Sequence, residues 1–200
     1  MDIVVPDIPN SVAALKDKSI IFTGAVHKRV APLIMKRIGL LSDTHSCWDD
    51  RYATYFAECD EIWHAGDVGD AVLLERLQGI APVFRGVCGN IDHGEVRRLL
   101  PELTVFQIED VKVLMTHIGG YPGRWAPGMK KLLQTEKPLL MVDGHSHILR
   151  IKYDTELGLL HINPGAAGTQ GWQKARTLVR FTIDGADIRD CEVVELGNKG

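Results

Sequence analysis

Residues 36–45 read Lys36-Arg37-Ile38-Gly39-Leu40-Leu41-Ser42-Asp43-Thr44-His45. A basic start, a short apolar run and an abrupt change to polar residues make the pattern of a buried strand that runs out into a chemically capable loop. Downstream the pattern alternates: a helix near Arg51 to Ala57, a strand at Glu61 to Ala65, a helix from Asp70 to Leu77 and a strand at Pro82 to Val87. This βαβα order predicts a mainly parallel sheet. The second half is richer in paired strands, with Thr104 to Ile108 and Val111 to Thr116 flanking a turn at Glu109-Asp110, then a helix around Gly128 to Thr135 and a buried strand at Leu139 to Val142. The tail, with strands at Leu149 to Tyr153, Gly158 to Ile162, Arg176 to Ile183 and Asp187 to Glu195, reads as a β-meander. Together these elements predict an α/β chain with two packed sheets and helices outside.

Upstream, residues 1–34 have a different texture. Pro6, Pro9 and Pro32 break the segment, and its brief apolar run is Ile20-Ile21-Phe22. It is expected to be a weakly structured extension that can be removed, with residues 35–200 forming the single working domain and Met35 a candidate initiator.

At 200 residues, with 45% hydrophobic and 24% charged content, the composition is that of a soluble globular domain with its own core. The formal charge of −3 gives no electrostatic attraction to nucleic acid, which is therefore not an expected partner. No window reaches the roughly 18 apolar residues of a membrane span, and Asp2 and Asp7 stand where a signal peptide would be basic. Cys47, Cys59, Cys88 and Cys191 form no CxxC pair, which argues against a zinc ribbon or redox motif and for reduced thiols in the cytoplasm. The strands of the meander leave homo-oligomeric pairing open.

Five short segments place Asp, Asn and His where strands end: Asp43-Thr44-His45, Gly66-Asp67, Gly89-Asn90-Ile91-Asp92, Thr116-His117 and Gly144-His145-Ser146-His147. Strand ends are where α/β proteins build sites. In an extended loop a D-x-H or H-x-H spacing sends both side chains the same way, so each pair can hold one centre or straddle two. Hard oxygen and borderline nitrogen without thiolate suit Mn²⁺, Fe²⁺, Zn²⁺ or Ni²⁺. Two ions fit the seven ligands if one carboxylate bridges. Gly66, Gly89 and Gly144 let the backbone turn sharply beside an ion.

These motifs, in this order, resemble the calcineurin-like metallophosphoesterases, most closely the small phosphodiesterases of the YfcE type and the related Vps29 fold. The resemblance runs from Met35 to Glu195, and Asn163-Pro164-Gly165 resembles the late N-P-G turn of the family. It implies a four-layer αββα sandwich of two mixed β-sheets flanked by helices. It also implies two divalent ions, with manganese first among the candidates: Asp43, His45 and His147 on one, Asn90, His117 and His145 on the other, and Asp67 bridging. The activity implied is hydrolysis of a small phosphoester by a hydroxide held between the ions. The alternative within the same resemblance is a protein-interaction scaffold of the Vps29 type, with or without metal.

Two positions depart from the family pattern. Ile91 stands where phosphatases of the wider superfamily carry a His that assists the leaving group, and Ile118 follows His117 where the family has Gly. An isoleucine cannot donate a proton, so a phosphodiester is expected over a monoester. His93 is the candidate to supply that proton, while Asp92 reads either as a turn residue or as a carboxylate that orients a ligand or an acid. His27, His64 and His161 are expected to be ordinary core or surface histidines, with support of the site from behind as the alternative for His64. Arg85, Arg97, Arg98 and Arg124 are expected to be mostly solvated, and Trp125 and Trp172 to serve packing.

Overall fold

A computed structural model describes residues 35–198, so the expectations for residues 1–34, including His27 and the run at Ile20 to Phe22, lie outside the described residues. The opening stretch is strand β1 (Lys36–Leu41). It lies at the middle of a five-stranded mixed sheet, parallel to β2 (Glu61–His64), which is in turn parallel to β3 (Val83–Gly86). On its other side β1 runs antiparallel to β11 (Ala175–Asp184), which pairs with β12 (Asp187–Asn198). The second five-stranded sheet has the order β4 (Leu103–Ile108), β5 (Val111–Thr116), β8 (Leu140–Val142), β10 (Leu159–Asn163), β9 (Arg150–Asp154). There β5, β8 and β10 are parallel, and β4 and β9 are antiparallel edges.

The alternation of strand side chains sorts the apolar residues into layers. Ile38, Leu40, Trp63 and Phe181 of the first sheet meet Val113, Met115, Leu140 and Ile162 of the second in a common core. Phe56 of α1 (Arg51–Phe56) and Leu73, Leu74 and Leu77 of α2 (Ala71–Gln78) join Leu41 and Ile62 on the outer face of the first sheet. Val96 of α3 (Gly94–Leu99) lies in that same layer. Met129 and Leu133 of α4 (Met129–Glu136) cover Leu114 and Met141 on the outer face of the second. The arrangement is the expected αββα sandwich of two mixed sheets. α2 starts at Asp70, whose carboxylate accepts the Leu73 N–H at 2.8 Å and satisfies one of the free donors of the first turn.

The tail corrects the meander expectation. β9 and β10 belong to the second sheet and β11 and β12 to the first, so residues 164–174 cross between sheets. Periodicity reports which residues alternate, not which sheet a strand joins. Two elements were also missed: α3, with one buried side chain, and a hairpin of two-residue strands, β6 (Gly120–Tyr121) and β7 (Arg124–Trp125).

Candidate metal centre

Each ligand-bearing segment follows the C-terminal end of a parallel strand: β1, β2 and β3 in one sheet, β5 and β8 in the other. The two sets of strand ends meet. The His145 N–H reaches the Asp43 carboxylate oxygens at 3.1 and 3.2 Å, and the Gly144 N–H donates to the His117 carbonyl at 3.0 Å.

The loops are not extended, which corrects the basis on which the D-x-H and H-x-H pairs were expected to converge. Asp43, His45, Asp67, His145 and His147 all have positive φ, between 46° and 65°. Each such residue costs free energy, on the order of 1 kcal/mol or more, and strained positions of this kind gather at functional sites. Left-handed residues at i and i+2, not strand alternation, bring Asp43, His45 and His147 together, while His145 stays at the surface. Gly89 allows the tightest approach: a Cβ there would stand 2.0 Å from Asp67 Oδ1. Gly66, at φ 94°, would carry a Cβ 2.5 Å from His117 Nδ1.

The carboxylates are buried at the centre and the imidazoles surround them. Donor atoms of Asp43, His45 and His147 lie within 4.8 Å of one another, as do those of Asp43, Asp67 and His117. Asp67 places Oδ1 3.2 Å from His117 Nε2 and Oδ2 3.7 Å from His45 Nε2. Asp43 Oδ1 stands 3.1 Å from His147 Nε2 and 3.9 Å from His117 Nε2. Asn90 Oδ1 is 3.1 Å from His117 Nε2. His145 stands outside both groups, exposed, with its ring edge-on to His117 at 5.2 Å between centroids.

Outer partners fix the histidines. The Nδ1–H of His117 donates to the Ala65 carbonyl at 2.8 Å, and that of His147 to Gln173 Oε1 at 3.0 Å. Each ring therefore turns Nε2 toward the carboxylates, and His117 Nε2 faces oxygens of Asn90, Asp67 and Asp43. A lone pair confronting three oxygens is repulsive unless a cation stands among them, either a proton or a metal ion. Ligand atoms around one ion at about 2.1 Å sit roughly 3.0–3.4 Å apart, which the shorter of these separations match. The residues therefore fit divalent metal.

The charge states follow from the same contacts. Burial works against a charged His117, but the Asp67 hydrogen bond and the charges of Asp43 and Asp67 outweigh it and raise its pKa. The hydrogen bond to Asp43 raises His147. Burial lowers His45 despite the pull of Asp67 and Asp43. Burial would raise Asp67, yet the hydrogen bond and charge of His117, with the Ile91 N–H, hold it low.

His64 is buried and braces the loop, the alternative reading for this histidine. The Gly66 N–H donates to its Nδ1 at 3.2 Å, so Nε2–H donates to Thr44 Oγ1 at 2.9 Å, and the Thr44 hydroxyl passes on to the Val68 carbonyl at 3.1 Å. Asp92 is buried, and its carboxylate accepts the N–H groups of Val68, Gly69 and Gly89 at 3.1, 2.7 and 2.8 Å. It thus ties the GD loop to the GN loop. His93 is exposed at the start of α3, with Nδ1 on the Ile91 carbonyl at 2.8 Å.

Two groups in the surroundings, Gln173 and Asp143, carry no signal in the sequence. Gln173 lies 26 residues from His147. Asp143 accepts from His161 Nε2 at 3.0 Å and from Asn163 Nδ2 at 2.8 Å, and Asn163 also holds the Gly144 carbonyl at 2.7 Å. The N-P-G turn thereby buttresses the GH-x-H loop. His161 is buried, and its Nδ1 has no hydrogen-bond partner. Trp125 packs edge-on against His161, as expected of a packing residue, whereas Trp172 is wholly exposed, which corrects that expectation for it. Arg85 is engaged by Glu61, Arg97 by Glu102 and Arg98 by Glu95, and the four cysteines are free thiols.

The model of the calcineurin-like phosphoesterase superfamily domain matches residues 35–186. A probable metallophosphoesterase of Methanothermobacter thermautotrophicus is 29% identical over 166 residues, 80% of this chain and 92% of the relative. Among solved structures, an archaeal phosphodiesterase superposes with a TM-score of 0.61 at 19% identity, covering 79% of this chain and 99% of its own. Vps29 from Entamoeba histolytica complexed with Zn²⁺ superposes with a TM-score of 0.62 at 16% identity, covering 80% and 98%. At those identities the two structures speak for the fold, while the family match over residues 35–186 speaks for the family. No helix among the described residues is long and apolar enough to cross a membrane. With its fold, its strand-end motifs and its Asp/His cluster accounted for, the chain belongs to the calcineurin-like phosphoesterase superfamily.

Proposed function

We propose that the chain is a metal-dependent hydrolase of small phosphodiesters, using two divalent ions. The observation that carries this reading is the arrangement of Asp67, whose two carboxylate oxygens face His117 on one side and His45 on the other. In this reading Asp43, His45 and His147 hold one ion, Asn90, His117 and His145 the other, and Asp67 bridges them. The donor set favours Mn²⁺, with Zn²⁺, Fe²⁺ and Ni²⁺ as alternatives. When bound, such ions supply Lewis acidity to phosphoryl oxygens and acidify water near neutral pH. The chain's own residues hold and orient: Ala65 and Gln173 fix the tautomers of His117 and His147, and Asp92 keeps the GD and GN loops in register.

A diester is favoured over a monoester because residue 91, beside Asn90, is an isoleucine and offers no proton to a poor leaving group. His93, with Nδ1 on the Ile91 carbonyl, keeps Nε2 for solvent or substrate and is the candidate acid. A small substrate in the cytoplasm suits a chain of net charge −3 better than a nucleic acid does. The alternative is a protein-interaction scaffold of the Vps29 type, which the common fold permits. The two groups of donor atoms, from Asp43, His45 and His147 and from Asp43, Asp67 and His117, weigh against it.

Elemental analysis of the purified protein, followed by assay of bis(p-nitrophenyl) phosphate with and without Mn²⁺, separates the two. Two metals per chain and Mn²⁺-dependent turnover support the hydrolase. Bound metal without turnover of any phosphoester supports the scaffold.

A further inference from the structure

Beside Asn90 and His117 a cavity of about 250 Å³ opens, walled by Cys88, Thr116 and Ile118 and rimmed by Arg97 and Glu102. It shares two residues with the metal centre, so whatever occupies it lies within reach of a phosphate held there. Its walls are tied in place: the Cys88 N–H donates to the Pro101 carbonyl at 2.8 Å, and the Thr116 hydroxyl to the Glu102 carbonyl at 2.9 Å. The second of these bonds also engages the hydroxyl proton that Thr116 would otherwise present. The guanidinium of Arg97 is engaged by the Glu102 carboxylate, so the rim is charge-balanced and offers no unpaired cation to a second phosphate. Ile118, nearly half exposed, gives the cavity an apolar wall that the other described residues leave partly uncovered.

We propose that this cavity seats the ester substituent that is not displaced, an apolar ring of aryl size, with Ile118 as its specificity-determining contact. The inference rests on the hydrolytic reading above. Size supports it, since a cavity of roughly 150 Å³ is enough for benzene, so a ring and its linking atoms fit here. Topology supports it as well. Ile118 directly follows His117, so any group packed on Ile118 is anchored one residue from the ligand that faces Asp67, Asn90 and Asp43. A phosphomonoester has no second substituent and leaves the cavity empty. The subsite therefore selects diesters by contact, independently of the proton that Ile91 cannot give.

The test compares two substrates with the same leaving group, bis(p-nitrophenyl) phosphate and methyl p-nitrophenyl phosphate, on the full chain with Mn²⁺. Their intrinsic reactivities differ, but that difference cancels when the ratio of their kcat/KM values is compared between wild type and variants. Ile118→Ala should lower the ratio about fivefold, in the range expected for lost apolar contact in a specificity pocket. Ile118→Trp, which fills the cavity, should lower it at least as far by raising KM for the bis-aryl substrate. Ratios unchanged in both variants overturn the subsite and leave the hydrolase standing. Failure of the wild type, with two metals bound, to turn over either substrate overturns both.

Discussion

The Nδ1–H of His147 donates to Gln173 Oε1 at 3.0 Å, across 26 residues of sequence and from the crossover that joins the two sheets. That bond fixes which nitrogen of His147 faces Asp43. Gln173→Ala frees the ring to rotate and change tautomer, so it should weaken Mn²⁺ binding by roughly 10–100-fold while leaving the fold intact. Isothermal titration of the apoprotein reads this directly. Unchanged affinity would mean that other contacts orient the ring.

Asp92 is expected to matter for stability first. Asp92→Ala leaves the buried N–H groups of Val68, Gly69 and Gly89 without their acceptor and should cost about 3–5 kcal/mol in urea unfolding under chelation. Asp92→Asn keeps one oxygen, and that oxygen can retain the bonds from Val68 and Gly89, so its cost should be distinctly smaller. Equal costs for the two variants would show that the charge, rather than the acceptor geometry, holds the loops.

Metal uptake should release protons near neutral pH. His117 and His147 are both held above their ordinary pKa by the neighbouring carboxylates, so a fraction of each is protonated at about pH 7 and must lose that proton to ligate. His45, lowered by burial, adds little there. Affinity for Mn²⁺ should therefore climb with pH through the ordinary histidine range, about 6.5, and level off only above it. Calorimetry in buffers of different ionisation enthalpy should find proton release that fades over the same span. Proton release that is absent at pH 7 would contradict the assigned charge states.

The acid limb of stability has a separate source. Hydrogen bonds from Arg51, reinforced by Arg176, hold the Asp49 carboxylate at a pKa of about 2. Because this folded-state value lies below the unfolded one of roughly 3.9, the pair stabilises the fold above about pH 4, and that contribution is lost as pH falls toward 2. Asp49→Asn should thus destabilise at neutral pH, by roughly 1–2 kcal/mol, and converge with wild type near pH 2. A difference that persists at pH 2 would assign the effect to packing instead.

What the sequence made legible was local. The apolar run Ile38 to Leu41 and the polar turn at Asp43 lie side by side in the chain, so one reading yields both the central strand and its ligands. The same holds for Asp67 after β2 and His117 after β5. What stayed hidden was set by distance or by backbone. The left-handed φ of Asp43, His45 and His147 has only a weak signature in residue type, since Asp and His are enriched in that conformation but do not require it. Asp143 with His161, and His147 with Gln173, meet only after the sheets assemble. α3 buries Val96 alone, so no helical stripe announces it. The division of the tail between two sheets depends on residues 164–174, which carry no strand pattern of their own.

The central claim is that Asp67 joins two metal ions in a hydrolytic site, and the variant Asp67→Asn tests it most directly. An amide can accept from Ile91 as the carboxylate does, yet it cannot bring negative charge to both ions. Metal content and bis(p-nitrophenyl) phosphate turnover should be measured together, for wild type and variant, in saturating Mn²⁺. The account predicts two metals and turnover in the wild type, fewer than two metals in Asp67→Asn, and a fall in kcat of at least about 100-fold. A variant that keeps two metals and near wild-type turnover would contradict it.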